Sequence, residues 1–156
     1  MALSLTLATL ATAAAQDAGS AVPAYCPDLQ RVIALALTSE RFAPISGQPR
    51  EGNFLDTSLP LTGWKNCSLY GRATYTCDSN EFKTGEEATQ AEATAIEQIK
   101  SCLGETWAEA EERSSPGYRV LHTTAAPVSI TLSTDETDHK GHVVRIIVFV
   151  RGSQAR

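Results

Sequence analysis

The chain has 156 residues and a formal net charge of −5, a length that suits one domain with a core of its own. Its make-up, 42% hydrophobic and 20% charged, is that of a globular protein and excludes a disordered or collagen-like chain. The acidic balance and the scatter of Lys and Arg argue against nucleic acid as the main partner, because phosphate binding needs a basic face, and against electrostatic adhesion to a membrane.

Residues 3–10 alternate Leu with small residues, and 11–15 are small throughout. Ala13 and Ala15 flank Ala14 in the pattern that leader peptidases accept, so 1–15 reads as a signal peptide and the mature chain is expected to begin at Gln16. The apolar run is too short to span a bilayer. The usual positive start is missing, since no Lys or Arg precedes Arg31. No cysteine follows the small residues directly, so no membrane anchor is indicated, and the expected location is periplasmic or secreted. Residues 16–25 read as a flexible arm, 26–152 as a single α+β domain and 153–156 as a tail.

Cys26, Cys67, Cys77 and Cys102 all lie past the leader. An even count in an exported chain implies two disulfides. Zinc ligation is the rival reading, but no C-x-x-C pair and no finger-type Cys/His spacing is present.

A helix is expected after Cys26. Pro27 suits its first position and Asp28 favours the positive end of the dipole. Leu29, Val32, Ile33, Ala36 and Leu37 then repeat with helical spacing. Residues 41–46 are expected as a short strand, and 48–63 as a long loop, a length uncommon in a compact domain and sometimes functional. Residues 64–78 read as a hairpin: Cys67, Leu69, Ala73, Tyr75 and Cys77 alternate onto one face, and Asn66, Ser68, Thr74 and Thr76 onto the other. Setting Cys67 opposite Cys77 puts Tyr70 opposite Thr74 and leaves Gly71, Arg72 and Ala73 as the loop, an allowed length.

Residues 84–103 read as the second helix. Thr84 and Glu87 make a capping box, Gly104 suits the C-terminal cap, and Ala88, Ala91, Ala95, Ile99 and Cys102 form the apolar stripe. Residues 105–113 are acidic and read as a solvated stretch or a frayed turn. Residues 118–124, 128–133 and 142–150 read as three strands, the last apolar on both faces and so central or covered twice. The expected fold class is α+β: two helices on one face of a mostly antiparallel sheet in the order α-β-β-β-α-β-β-β. Antiparallel helices bring the start of the first to the end of the second, which favours Cys26 with Cys102 and Cys67 with Cys77 among the three possible pairings.

Chemistry-bearing patterns are sparse. His139 and His142, with Asp138 beside them, present imidazole and carboxylate for a transition metal, although a polar turn before a strand collects such residues for solubility alone. His122 reads as a half-buried strand residue. No nucleophile elbow, Gly-rich phosphate loop or cofactor motif is present. A motif-free carboxylate pair of glycosidase type needs no local signature, and the acids of 105–112 read instead as a solvated face. Asn66-Cys67-Ser68 fits the glycosylation sequon formally. Within 48–64, Phe54, Leu55, Leu59 and Trp64 are candidates for a partner site, or else close the end of the sheet.

Taken together, Cys26 with Leu29 before a helix, Phe42 and Gly47 after it, Trp64, Cys67, Tyr75-x-Cys77, and Cys102-Leu103 with Trp107 resemble a loose group of small exported bacterial proteins with four cysteines and no assigned activity. The resemblance implies a periplasmic location and a shared fold, and carries over no functional residue. The order of elements is also similar to that of secretion chaperones, and order alone does not give function. The expected function is a non-enzymatic periplasmic binding protein acting on a protein partner, through its sheet surface or the 48–63 loop. Alternatives are an inhibitor or immunity protein against a secreted toxin or wall hydrolase, and a small hydrolase with a carboxylate site.

Overall fold

The computed structural model describes residues 22–151. The expected signal peptide, most of the 16–25 arm and the tail lie outside them. The described fold starts before Cys26: Tyr25 is 8% exposed and its hydroxyl donates to Gln98 Oε1 at 3.2 Å, so the end of the expected arm belongs to the domain.

Helix α1 is Cys26–Ala36, with Pro27 in the first turn and Asp28 beside it. It buries Leu29, Val32 and Ala36 and leaves Leu37 exposed just past its end. Helix α2 is Gly85–Leu103. The Thr84 hydroxyl accepts from the Glu87 N–H while the Glu87 carboxylate accepts from the Thr84 N–H, so two orphan donors of the first turn are satisfied reciprocally. Gly104 ends the helix with φ of 79°, a left-handed conformation that suits glycine.

The strands are β1 (Ser46–Pro49), β2 (Phe54–Thr57), β3 (Lys65–Tyr70), β4 (Thr74–Asp78), β5 (Trp107–Glu109), β6 (Tyr118–Thr123), β7 (Val128–Glu136) and β8 (His142–Val150). They form one antiparallel sheet in the order β1-β2-β3-β4-β8-β7-β6-β5. Two meanders, β1–β4 and β5–β7, are therefore joined by β8, which pairs with β4 from Thr74↔Phe149 to Asp78↔Arg145 and with β7 from Val128↔Val150 to Glu136↔His142. The apolar run of 142–150 follows from this central place.

Both helices lie on one face, α2 across β7 and β8 and α1 against β8. Side chains alternate along each strand, so that face takes Tyr75 and Cys77 from β4, Ile130 and Leu132 from β7, and Ile146 and Val148 from β8, all at 0% exposure. The other face carries no helix. Residues 41–46, expected as a strand, hold instead a short 3-10 turn at Ala43–Ile45, because Pro44 cannot donate to a ladder. Ile45 still points inward, and the strand begins at Ser46. Residues 48–63, expected as a loop, contain β2, which pairs with β3 at Phe54↔Tyr70 and Asp56↔Ser68. Four residues flanked by breakers leave too few alternations to reveal a strand from sequence. Likewise residues 105–113, expected as solvated, contain β5, a three-residue edge strand, and a 3-10 turn at Glu111–Arg113.

The β3–β4 hairpin has Tyr70 opposite Thr74. Between the Ser68↔Thr76 and Lys65↔Asp78 pairs one extra residue is inserted in β3, and Asn66 takes it up with φ of 50°. Such a bulge turns the strand while keeping Cys67 facing Cys77. The disulfides are Cys26–Cys102 and Cys67–Cys77, with Cα separations of 5.6 and 4.0 Å. The first ties the start of α1 to the end of α2, and Gln30 reinforces it by donating to the Cys102 carbonyl at 3.0 Å.

The two bridges close loops with sequence separations of 76 and 10. On the chain-entropy model the longer contributes about 4–5 kcal/mol and the shorter about 3 kcal/mol, both upper values. Urea unfolding of Cys26→Ser/Cys102→Ser is therefore expected to show the larger loss, and Cys67→Ser/Cys77→Ser the smaller. The reverse order would mean that strain or residual structure, not loop length, sets the balance.

Candidate functional site

The face of the sheet without helices is polar at its centre and aromatic toward one end. Strand register sets this out in rows. One row reads Phe54, Tyr70, Thr74, Phe149, Ser129 and His122 across β2, β3, β4, β8, β7 and β6. The next runs Ser68, Thr76, Ile147 and Thr131. A third holds Asp78, Arg145 and Ser133.

Phe54 and Tyr70 stand edge to face with ring centroids 5.2 Å apart, and are 41% and 49% exposed. They border a cavity of about 830 Å³ that Arg72, Ile147 and Phe149 also line. A second cavity of about 330 Å³ shares Phe54, Tyr70, Thr74 and Ile147 with the first and runs on to Asn66, Asp78 and Arg145. The shared walls make these two parts of one groove, apolar near the β3–β4 turn and polar at the far end. The Thr76 hydroxyl lies buried in its floor with no hydrogen-bond partner, the kind of group a bound molecule can satisfy. The far end carries one cation between two carboxylates. Arg145 reaches Asp78 at 2.8 Å and Asp135 at 3.2 Å, and these carboxylates, Asp78 foremost, hold its guanidinium pKa above the ordinary value. At the near end, by contrast, Arg72 is exposed on the turn and makes no ion pair among the described residues. Arg50, next in sequence to Pro49 of the cavity wall, is occupied by Asp56.

A second polar group lies on the helix side. Glu92 of α2 is wholly buried, and its Oε1 has no hydrogen-bond partner. Oε2 accepts from the Gly117 N–H at 3.3 Å and lies 3.6 Å from Arg119 Nε, within ion-pair range but beyond a hydrogen bond. Arg119, on β6, bonds Glu109 of β5 at 3.0 Å. Burial raises the Glu92 pKa; the Gly117 N–H and Arg119 oppose this, while Glu109 adds to it. The cluster knits α2 to the β5–β6 edge. The cavities described above are lined by other residues, so no substrate space adjoins it there.

Of the candidates for a partner site, Phe54 alone faces the groove fully. Leu55, on the same short strand, also lines the larger cavity but is half-buried against the core. Leu59 is 8% exposed, and its carbonyl accepts from the Tyr75 hydroxyl at 2.8 Å. Trp64 packs on the core and meets Tyr25 edge to face at 5.9 Å. Asp28 holds the intervening chain by accepting from both the N–H and the hydroxyl of Thr62. Phe54 is thus set apart from Leu59 and Trp64, at the opposite end of β3. His139 and Asp138 are exposed, while the His142 ring lies near Gly85 at the start of α2 and its main chain pairs with Phe82. Among the described residues no three His, Cys, Asp or Glu side chains come together to hold a metal ion. His122 is half-buried on β6 with Arg113 3.3 Å from its Nδ1.

Tyr70, Ile147, Phe149 and Arg72 were not singled out from sequence, although alternation had already put Asn66, Ser68, Thr74 and Thr76 on this face. Glu92 had a signal too: it lies on the Ala88, Ile96, Ile99 line of α2, where a carboxylate is out of place. Compared with protein-family models, curated proteins and solved structures, the chain matches none of them.

Two measurements check these placements. Leu59→Ser is expected to lower Tm by about 5–10 °C, because it truncates a buried side chain. Phe54→Ser should move it by no more than about 2 °C, being half-exposed. For Glu92, the folded-state pKa lies above the unfolded one, so the stability it contributes is fully present below the ordinary glutamate value and lost as pH rises through the raised value. Glu92→Gln should therefore match the wild type near pH 4 and exceed it near pH 8 in thermal melts. A variant that loses stability at pH 8 would mean that the ion pair with Arg119 outweighs burial.

Proposed function

We propose that the chain is a non-enzymatic binding protein of the periplasm or extracellular space, which holds a protein partner on the open face of its sheet. The observation that carries this is the Phe54–Tyr70 pair standing exposed at the lip of an apolar groove, on the one face that the helices leave bare. Apolar surface of this kind costs about 25 cal/mol per Å² to keep in water, and aromatic side chains beside a groove are common anchors of protein interfaces. The leader-like residues 1–15 support the compartment, as do the two disulfides, which persist where thiols are not kept reduced. Among the described residues no helix is long and apolar enough to cross a membrane.

The test is comparative capture. Immobilised wild type, Phe54→Ser/Tyr70→Ser, and Tyr118→Ser would each be exposed to the exported fraction of the native host. Tyr118 is 46% exposed on the same face but near its far edge, so it controls for general stickiness. A partner held by the wild type and Tyr118→Ser and lost by the double variant is expected, with all three melting within about 2 °C of one another. Equal retention by the double variant would move the site elsewhere.

A further inference from the structure

We infer that the segment seated in the groove carries a carboxylate, which docks at the β3–β4 turn on Arg72, with apolar side chains following it over Phe54, Tyr70 and Phe149. This rests on the open-face reading and adds the chemistry of what binds there.

Charge complementarity is the basis. Arg72 is the one charged residue among those lining the larger cavity, and the rest of that lining is mostly apolar or aromatic. In a chain of net charge −5, an exposed guanidinium beside an apolar groove, with no ion pair among the described residues, is a local reversal of sign. Arg50 and Arg151, each next in sequence to a residue of that lining, are committed elsewhere, Arg50 to Asp56 and Arg151 to the Thr123 and Ala126 carbonyls. The far end repels an acid: two carboxylates, Asp78 and Asp135, already share Arg145. Lys65, opposite Asp78 in register, lines neither cavity. A carboxylate entering the groove is thus drawn to the turn end and turned away from the other, which sets the direction of the segment. The distance suits a short extended stretch. Thr74 to Asp78 spans four steps of β4, about 13 Å at the usual rise, so a segment of about four residues covers the groove once its acid sits on Arg72. The buried Thr76 hydroxyl, without a partner, lies along that path. A planar guanidinium favours a carboxylate through two parallel hydrogen bonds, which lysine cannot supply.

The experiment uses a random-peptide phage library panned on the whole chain, with clones counter-selected on Phe54→Ser/Tyr70→Ser. Clones that depend on the open face are expected to carry Asp or Glu next to two or more apolar residues. Fluorescence anisotropy of the best such peptide should show binding weakened about fivefold or more by Arg72→Glu, and less by Arg72→Lys. Panning on Arg72→Glu itself should replace the acid with Lys or Arg. Face-dependent clones with no acidic bias, or with a bias that Arg72→Glu leaves unchanged, would overturn the carboxylate and leave the open-face reading standing. No face-dependent clone at all would count against both.

Discussion

The structure depends on the two ladders of main-chain hydrogen bonds that β8 makes, one with β4 and one with β7. Without them the chain is two separate meanders, each bare along both edges, with β4 and β7 newly exposed. The four-residue β1 and β2 and the three-residue β5 are too short to support a sheet of their own. With β8 in place the eight strands share one twist, and the helix-facing residues of both halves meet under α1 and α2. Val144, Ile146 and Val148 occupy the middle of that core at no more than 1% exposure. The same strand turns Arg145, Ile147 and Phe149 to the other side, so the groove is floored by the element that unites the fold.

This gives the two faces different work. The helix side is dry and covalently secured, with Cys26–Cys102 clamping the ends of the helices and Tyr75 reaching through the core to the Leu59 carbonyl. Glu92, the one buried charged residue among those described, is held by the Gly117 N–H and the Arg119–Glu109 pair instead of by solvent. Such a group adds little net stability, but it fixes where α2 crosses the edge strands. On the other side, aromatic rings and hydroxyls stand on a floor of paired strands.

Much of this architecture is legible in the residues. Thr84 with Glu87, and Gly104, mark α2 at both ends, and the alternation about Cys67 and Cys77 yields both the hairpin register and its disulfide. What escapes has physical causes. The helical spacing of α2 points to a stripe through Ala91 and Ala95, whereas the buried line runs through Glu92 and Ile96. An Ala-rich face tolerates either rotation, and only contact with Arg119 and Gly117 decides between them. Leu59 and Trp64 are apolar and lie only five and ten residues beyond Phe54, yet the bend held by Asp28 and Thr62 carries them to the core while Phe54 stays at the groove. No local pattern encodes that separation. The groove itself combines rows from distant parts of the chain, Phe54, Tyr70 and Phe149, that only strand order brings together.

The placement of β8 also bears on how the chain comes to exist. It is the last of the described strands, and its partners on β4 were made some seventy residues earlier. While a ribosome is still elongating, the edges of β4 and β7 stay open, with their N–H and C=O groups unpaired, and an open edge is a template for pairing with a neighbouring molecule. A sheet that cannot close until its final strand arrives is slow to complete, since distant pairings must bear the loop entropy first. The delay is written into the order of the strands: until β8 is made, the two halves of the sheet have nothing to join them.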